Sequence, residues 1–144
     1  MTTFREMVAS DYQQVSGLWT ETDHMVLREA DSEQNITHYL TRNAGLSFVA
    51  IQNDVVVGAV LVGTDGRRGY LQHLAVSERC QGQGIGKQLV GLAVDALESQ
   101  GIAKTHLFVV NENHSAQQFY QKLGWFPRDE VRMFSFNASD NLAI

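Results

Sequence analysis

Cysteine occurs once, at Cys80, so no internal disulfide can form. Such usage fits a reducing compartment, and a cytoplasmic location is expected. Proline also occurs once, at Pro127. Together with the absence of repeats or Gly/Ser-rich tracts, this leaves no linker or low-complexity segment. No apolar run approaches the ~18 residues that a membrane span requires. The first residues, Met1-Thr2-Thr3-Phe4, lack the apolar stretch of a signal peptide, so no leader is expected. Asn137-Ala138-Ser139 then reads as a chance match to a glycosylation acceptor. Basic charge is short as well: 11 Lys and Arg stand against 16 Asp and Glu, a net charge of −5. A nucleic-acid partner needs a basic surface and is not expected. The histidines at 24, 38, 73, 106 and 114 lack metal-ligand spacing and have no cysteine partner set, so no metal is expected.

What is present is one domain's worth of chain with 44% apolar residues, enough for a real core. The densest information lies in residues 81–87, Gln-Gly-Gln-Gly-Ile-Gly-Lys. The apolar run 69–76 before it predicts a strand. After it, Ile85, Leu89, Leu92, Ala93, Ala96 and Leu97 recur at helical spacing to about Ser99. A strand, a glycine-rich turn and a helix in that order make an anion cradle. Glycines permit close approach, and the first-turn N–H groups of the helix have no helical partner. Those donors and the positive end of the helix suit a phosphate or pyrophosphate.

Two phosphate motifs fail against these residues. A dinucleotide fingerprint begun at Gly82 needs glycine where Lys87 stands, and a P-loop ending at Lys87 needs glycine at 81 and Ser or Thr at 88. A kinase-like nucleotide enzyme is excluded with them. Gln81, Gly84 and Gly86 do fit Gln/Arg-x-x-Gly-x-Gly/Ala. Downstream, 105–110 reads as a strand and 111–115 as a capped turn. A helix follows with Ala116, Phe119, Tyr120 and Leu123 on one face, stopped by Gly124. The string Asn113-x-x-Ala116-x-x-Phe119-Tyr120-x-Lys122-Leu123-Gly124-Trp125 and the earlier motif, in this order and spacing, resemble the two signatures of the GCN5-related N-acetyltransferases (GNAT).

The resemblance covers residues 46–136 and implies a single-domain α/β fold over residues 1–144. That fold is a mixed twisted sheet with helices on both faces and two central parallel strands that splay apart. It further implies acetyl-CoA as cosubstrate and direct transfer to an amine in a ternary complex. On this resemblance Gln81, Gly82, Gln83, Gly84, Ile85, Gly86 and Lys87 hold the pyrophosphate. The amides of Leu74, Ala75 and Val76 meet the pantetheine and polarise the thioester carbonyl. Tyr120 protonates the leaving thiolate, or else packs in the core. Asn113 touches the coenzyme, or only caps its helix. Lys87 and Lys122 meet phosphate or water. Cys80 adjoins the loop, but no base for a covalent route stands near it in sequence.

The general base is not supplied by the resemblance. The positions commonly used fall at Tyr70 and Gln72, neither a conventional base, and Phe108 stands where related enzymes carry a glutamate. Strand alternation turns His73 away from Tyr70 and Gln72. A water chain ending at Glu29 or Asp31 is one alternative, and loss of the proton before binding is another. Residues 21–33 carry Glu21, Asp23, Glu29, Asp31 and Glu33 against Arg28, most of the net charge. That segment is either a solvated loop or a mouth that attracts a cationic amine. The acceptor is a small-molecule or protein amine, and a homodimer is left open. A non-catalytic acyl-CoA-binding module is the alternative function, with the same fold.

The remaining pattern predicts a first strand at 4–8 and a helix capped by Ser10 with Gln13, bearing Val15, Leu18 and Trp19. A second helix over 33–42 turns Ile36, Tyr39 and Leu40 inward. Strands at 46–52 and 55–62 meet at Asn53-Asp54, and Asp65-Gly66 turns the chain into the next strand. A last strand is predicted at 130–136, with a frayed tail over 137–144.

Overall fold

The computed structural model describes residues 1–142 and 144. They fall into two compact units, Met1–Phe108 and Val109–Ile144.

The first unit is built on a five-stranded sheet in the order β1 (Thr3–Glu6), β2 (Phe48–Gln52), β3 (Val55–Thr64), β4 (Gly69–Val76) and β5 (Thr105–His106). The first three junctions are antiparallel and β4–β5 is parallel. β3 reads Val-Val-Val-Gly-Ala-Val-Leu-Val-Gly-Thr and is buried from Val56 to Gly63. A strand without polar alternation needs cover on both faces. Its two glycines show what supplies that cover. A Cβ at Gly58 would meet Ile85 and Leu89 of α3 (Ile85–Ser99), whereas one at Gly63 would collide with Tyr39 of α2 (Glu33–Arg42). Positions 58 and 63 have opposite parity, so α2 and α3 lie on opposite faces.

On the α2 face, α1 (Tyr12–Thr20) buries Val15, Leu18 and Trp19 against Ile36, Val49, Ala59, Leu61 and Ala75. On the other, α3 buries Ile85, Leu89, Val90, Ala93 and Leu97 at the expected helical spacing. The β2–β3 hairpin works without glycine because Asn53 (φ +50°) and Asp54 (φ +64°) both enter the left-handed region. Asn and Asp are the residues that tolerate it best after glycine.

The start of α1 corrects the expected Ser10–Gln13 capping box. A 3₁₀ turn, Ala9–Asp11, precedes the helix, and Asp11 organises it. Its carboxylate accepts from both terminal nitrogens of Arg5, each at 2.8 Å, and from Val8 N at 2.9 Å. The first strand accordingly ends at Glu6 rather than 8, since Val8 belongs to this turn.

The second unit holds α4 (His114–Lys122), with Asn113 Oδ1 accepting from Ala116 N at 3.2 Å. Gly124, at φ +96°, ends it. Two strand expectations fail. Only Thr105–His106 of the run 105–110 pairs as strand, and 130–136 forms none among the described residues. Phe134 and Phe136 are 87% and 91% exposed. An apolar run forms a strand only where a partner takes the backbone N–H and C=O groups, and no partner pairs here among the described residues. Residues 137–142 and 144 carry no helix or strand; Ala143 lies outside the described residues. No described helix is long and apolar enough to cross a membrane.

The Arg5–Asp11 pair makes stability depend on pH. Hydrogen bonds from the Arg5 guanidinium hold the Asp11 carboxyl below the usual carboxylate range, against the opposing effect of burial and with help from Val8 N–H. A depressed folded-state pKa adds stability above the unfolded value of ~3.9 and loses it as pH falls through the folded value. Arg5 is half exposed, so the contribution is modest, about 1 kcal/mol. Asp11→Asn should lower Tm by about 2–4 °C at pH 7, with the difference from wild type shrinking below about pH 4. Melting curves showing the same difference at pH 3 would contradict this origin.

Candidate active site

The cradle forms where β4 gives way to α3. After Val76, Ser77 N donates to Val57 O at 2.7 Å, and a short 3₁₀ turn, Glu78–Cys80, leads into residues 81–87. Cys80 is buried, with Sγ 3.4 Å from Gln52 Oε1, so it serves as an anchor for the loop. Gln81 Nε2 donates to Val76 O at 3.3 Å, and Gln52 Nε2 donates to Gln83 Oε1 at 3.0 Å. Both contacts tie the loop back to the sheet. Gly82 (φ +83°) and Gly84 (φ +78°) require the left-handed backbone, and a Cβ on either would meet nothing within 4 Å. At these two positions the turn presents backbone to open space. Gly84 caps α3 without any side-chain bond, leaving the first-turn amides without helical partners. A shallow concavity of about 330 Å³ runs from Gly84 and Lys87 past Gln88 and Gly91 to Leu92 and Asp95.

Beside the cradle the sheet opens. β4 and β5 pair only at Gly69↔Thr105 and Tyr70↔His106. From Leu71 onward no strand among the described residues pairs with β4 on that side, and this stretch contains Leu74, Ala75 and Val76. The closed end needs glycine: a Cβ at Gly69 would lie 2.6 Å from Leu97 Cδ1 and 2.7 Å from Thr105 Oγ1. Close packing of α3, β4 and β5 at Gly69, and divergence beyond Tyr70, produce a notch whose β4 edge leads to the cradle. The expected splay is present.

β4 also overturns one expectation. Leu61 pairs with Gln72 and Ala59 with Ala75, so Val60 faces both His73 and Leu74. This is a β-bulge, and His73 takes φ +49° to make it. Such a backbone costs a non-glycine residue roughly 1–3 kcal/mol. Because Leu61 and Ala75 share the α1 core, Gln72 faces α1 and α2, as does Tyr70 opposite Gly63. The His73 ring lies on that face too, 4.9 Å from the Trp19 ring. Alternation predicted the opposite face, and the extra residue of the bulge defeats it. His73 Nε2 is 2.8 Å from Asp31 Oδ1. Asp31 is thus a side chain held inside the structure, whereas Glu21, Asp23, Glu29 and Glu33 of the same acidic segment are exposed. Sequence reasoning missed the pairing because its partners lie 42 residues apart and no glycine marks the bulge.

In the second unit Tyr120 is half-buried, with ring centroids 5.0 Å from Phe119 and 5.7 Å from Trp125. Burial pushes its phenol well above the usual range. Asn113 caps α4, and Lys122 is exposed. Among the described residues no group of three or more His, Cys, Asp or Glu could hold a metal ion.

The open glycine turn, unpaired helix-start amides and adjoining unpaired edge of β4 fit a coenzyme A pyrophosphate and its amide-bearing arm. Comparison with known proteins agrees. The profile of the acetyltransferase (GNAT) family matches residues 6–125. An acetyltransferase of Pectobacterium atrosepticum is 34% identical over 114 residues, covering 78% of this chain and 79% of the relative. Among solved structures, the PaiA N-acetyltransferase of Thermoplasma acidophilum in complex with coenzyme A superposes with a TM-score of 0.79. It is 18% identical and covers 90% of this chain and 92% of that one. The structure of AAC(6')-Iy in complex with the bisubstrate analogue CoA-S-monomethyl-acetylneamine gives 0.75 at 18% identity. That match covers 96% of this chain and 99% of the enzyme's. The chain belongs to the acetyltransferase (GNAT) family and is an acyltransferase.

Proposed function

We propose that this acyltransferase moves the acetyl group of acetyl-CoA to a primary amine by direct transfer, with both substrates bound together. The observation that carries the reading is the turn at Gly82 and Gly84, two left-handed glycines with open space where a side chain would stand, beside the unpaired edge of β4. Acetyl-CoA supplies an activated thioester. Residues 81–87 bind the pyrophosphate through backbone amides, with no counter-cation required at the turn itself. Leu74, Ala75 and Val76 make up the stretch of β4 whose outer edge is open, and there a preorganised N–H donor typically contributes ~3 kcal/mol to carbonyl polarisation. The family match crosses from the first unit into the second, which supports one acetyltransferase domain over the whole chain. Tyr120, at the tyrosine of the second motif, is the proton donor to the leaving thiolate. Its raised pKa keeps the phenol protonated at neutral pH, the state a donor needs.

Gly84 separates backbone strain from charge. Gly84→Ala should weaken coenzyme A binding modestly through the left-handed backbone alone. Gly84→Asp adds a carboxylate beside the pyrophosphate and should abolish binding in calorimetry while the melting transition persists. Equal affinity of wild type and Gly84→Asp would remove the cradle from the account.

Tyr120→Phe keeps the ring packing and deletes only the hydroxyl. A fall in kcat of ~10²-fold is expected, with Tm and coenzyme affinity little changed. If kcat holds while Tm drops, Tyr120 is a packing residue and the thiolate takes its proton elsewhere.

A further inference from the structure

The pair His73–Asp31 has features that packing alone does not explain. His73 adopts a left-handed backbone, φ +49°, which few non-glycine residues take. The bulge it makes places its ring on the same face as Tyr70 and Gln72, directly before Leu74–Val76 in the chain. Backbone outliers that persist against their cost cluster at functional sites.

The carboxylate is oriented from several directions. Asp31 Oδ1 meets His73 Nε2 at 2.8 Å, and Oδ2 accepts from Arg28 N at 2.9 Å. Its main-chain carbonyl accepts from Tyr12 Oη at 2.8 Å. An imidazole that donates from Nε2 to this carboxylate carries its lone pair on Nδ1, the state of a proton acceptor. The ring is mostly shielded yet reachable: the His73 side chain is 21% exposed and that of Asp31 12%. One side of it lies against Trp19, which is fully buried and whose Nε1 has no acceptor among the described residues. The titratable or charged groups joined to the ring are Asp31 from the α1–α2 connection and, through Asp31, Tyr12 of α1 and the main chain of Arg28.

Resting on the acetyltransferase reading above, we propose that His73 is the general base of the transfer and that Asp31 is the positioning residue that fixes its ring and tautomer. The acceptor enters as R–NH₃⁺. One proton passes to His73 Nδ1, giving the neutral amine. The amine nitrogen forms a bond to the acetyl carbon and the carbon–sulfur bond breaks. The second proton lost by nitrogen balances the one taken up by the thiolate, and the products are an acetamide, a thiol and protonated His73, which returns its proton to solvent. The assignment ties the acidic α1–α2 connection to the reacting end of β4. Asp31 then acts on the acceptor through His73, whereas direct attraction is left to the exposed carboxylates of that segment.

The test uses His73→Gly, which removes the imidazole and relaxes the left-handed backbone, in thiol-release assays with lysine, spermidine and kanamycin as probe amines. Loss of ~10²-fold in kcat/KM at neutral pH is expected, with coenzyme A affinity by calorimetry unchanged. The loss should shrink as pH rises towards the amine's own pKa, ~10.4 for a lysine-type acceptor, because a neutral amine needs no base. Added imidazole should restore rate to the variant in proportion to its concentration and leave wild type unaffected. An active wild type whose His73→Gly variant keeps its rate, or loses it without imidazole rescue, overturns this assignment alone. A wild type that binds no coenzyme A or acetylates none of the probes overturns the function reading as well. Should His73→Gly fail to fold, Asp31→Asn carries the test. A fall in kcat of about tenfold with KM for acetyl-CoA unchanged supports the pair, and an unchanged kcat overturns it.

Discussion

The site depends on a parallel strand pair that is allowed to close at only one end. At Gly69 the absence of a side chain lets Leu97 of α3 and Thr105 of β5 come against β4. Two residue pairs later the contact stops, and the remaining length of β4 keeps polar backbone groups that no strand satisfies. Unpaired backbone polar groups away from water are costly, so an edge of this kind is sustained where a ligand can complete it. The cradle at residues 81–87 continues the same logic. Its N–H groups are orphaned by the start of a helix, and its glycines leave no side chain in front of them.

The rest of the first unit serves to hold that opening rigid. β3 is buried on both faces and anchors β4 through an antiparallel ladder that continues on both sides of the bulge. α3 packs its apolar stripe onto the sheet, so the orientation of its N-terminus follows from Ile85, Leu89 and Leu97 rather than from the loop. On the other face, Trp19 and Asp31 hold the strained His73, which links the connection between α1 and α2 to the strand beside the notch. The bulge thereby ties the connection between α1 and α2 to the end of β4 that leads into the cradle.

Much of this was legible in the residues. Residues 69–76 and 85–99 match β4 and α3 because apolar periodicity and a glycine-rich turn act locally. The second helix, the Asn113 cap and the stop at Gly124 were legible for the same reason. What was not legible depends on distant partners. Val131, Met133, Phe134 and Phe136 make an apolar run of strand length, yet no strand among the described residues pairs with them. Asp11 displaced the capping box predicted from Ser10 and Gln13 because Arg5, six residues upstream, engages its carboxylate. His73 was assigned to the wrong face because a single extra residue in a ladder reverses every inference drawn from alternation.

Hydrogen exchange of the wild-type chain with and without coenzyme A tests the central claim most directly. If the open edge of β4 and the helix-start amides are the binding surface, adding the coenzyme slows exchange at residues 74–76 and 82–87. Residues 130–136, which the account assigns no part in binding, should show no comparable change. Unaltered exchange at 74–76 and 82–87 while the coenzyme is demonstrably bound would contradict the account.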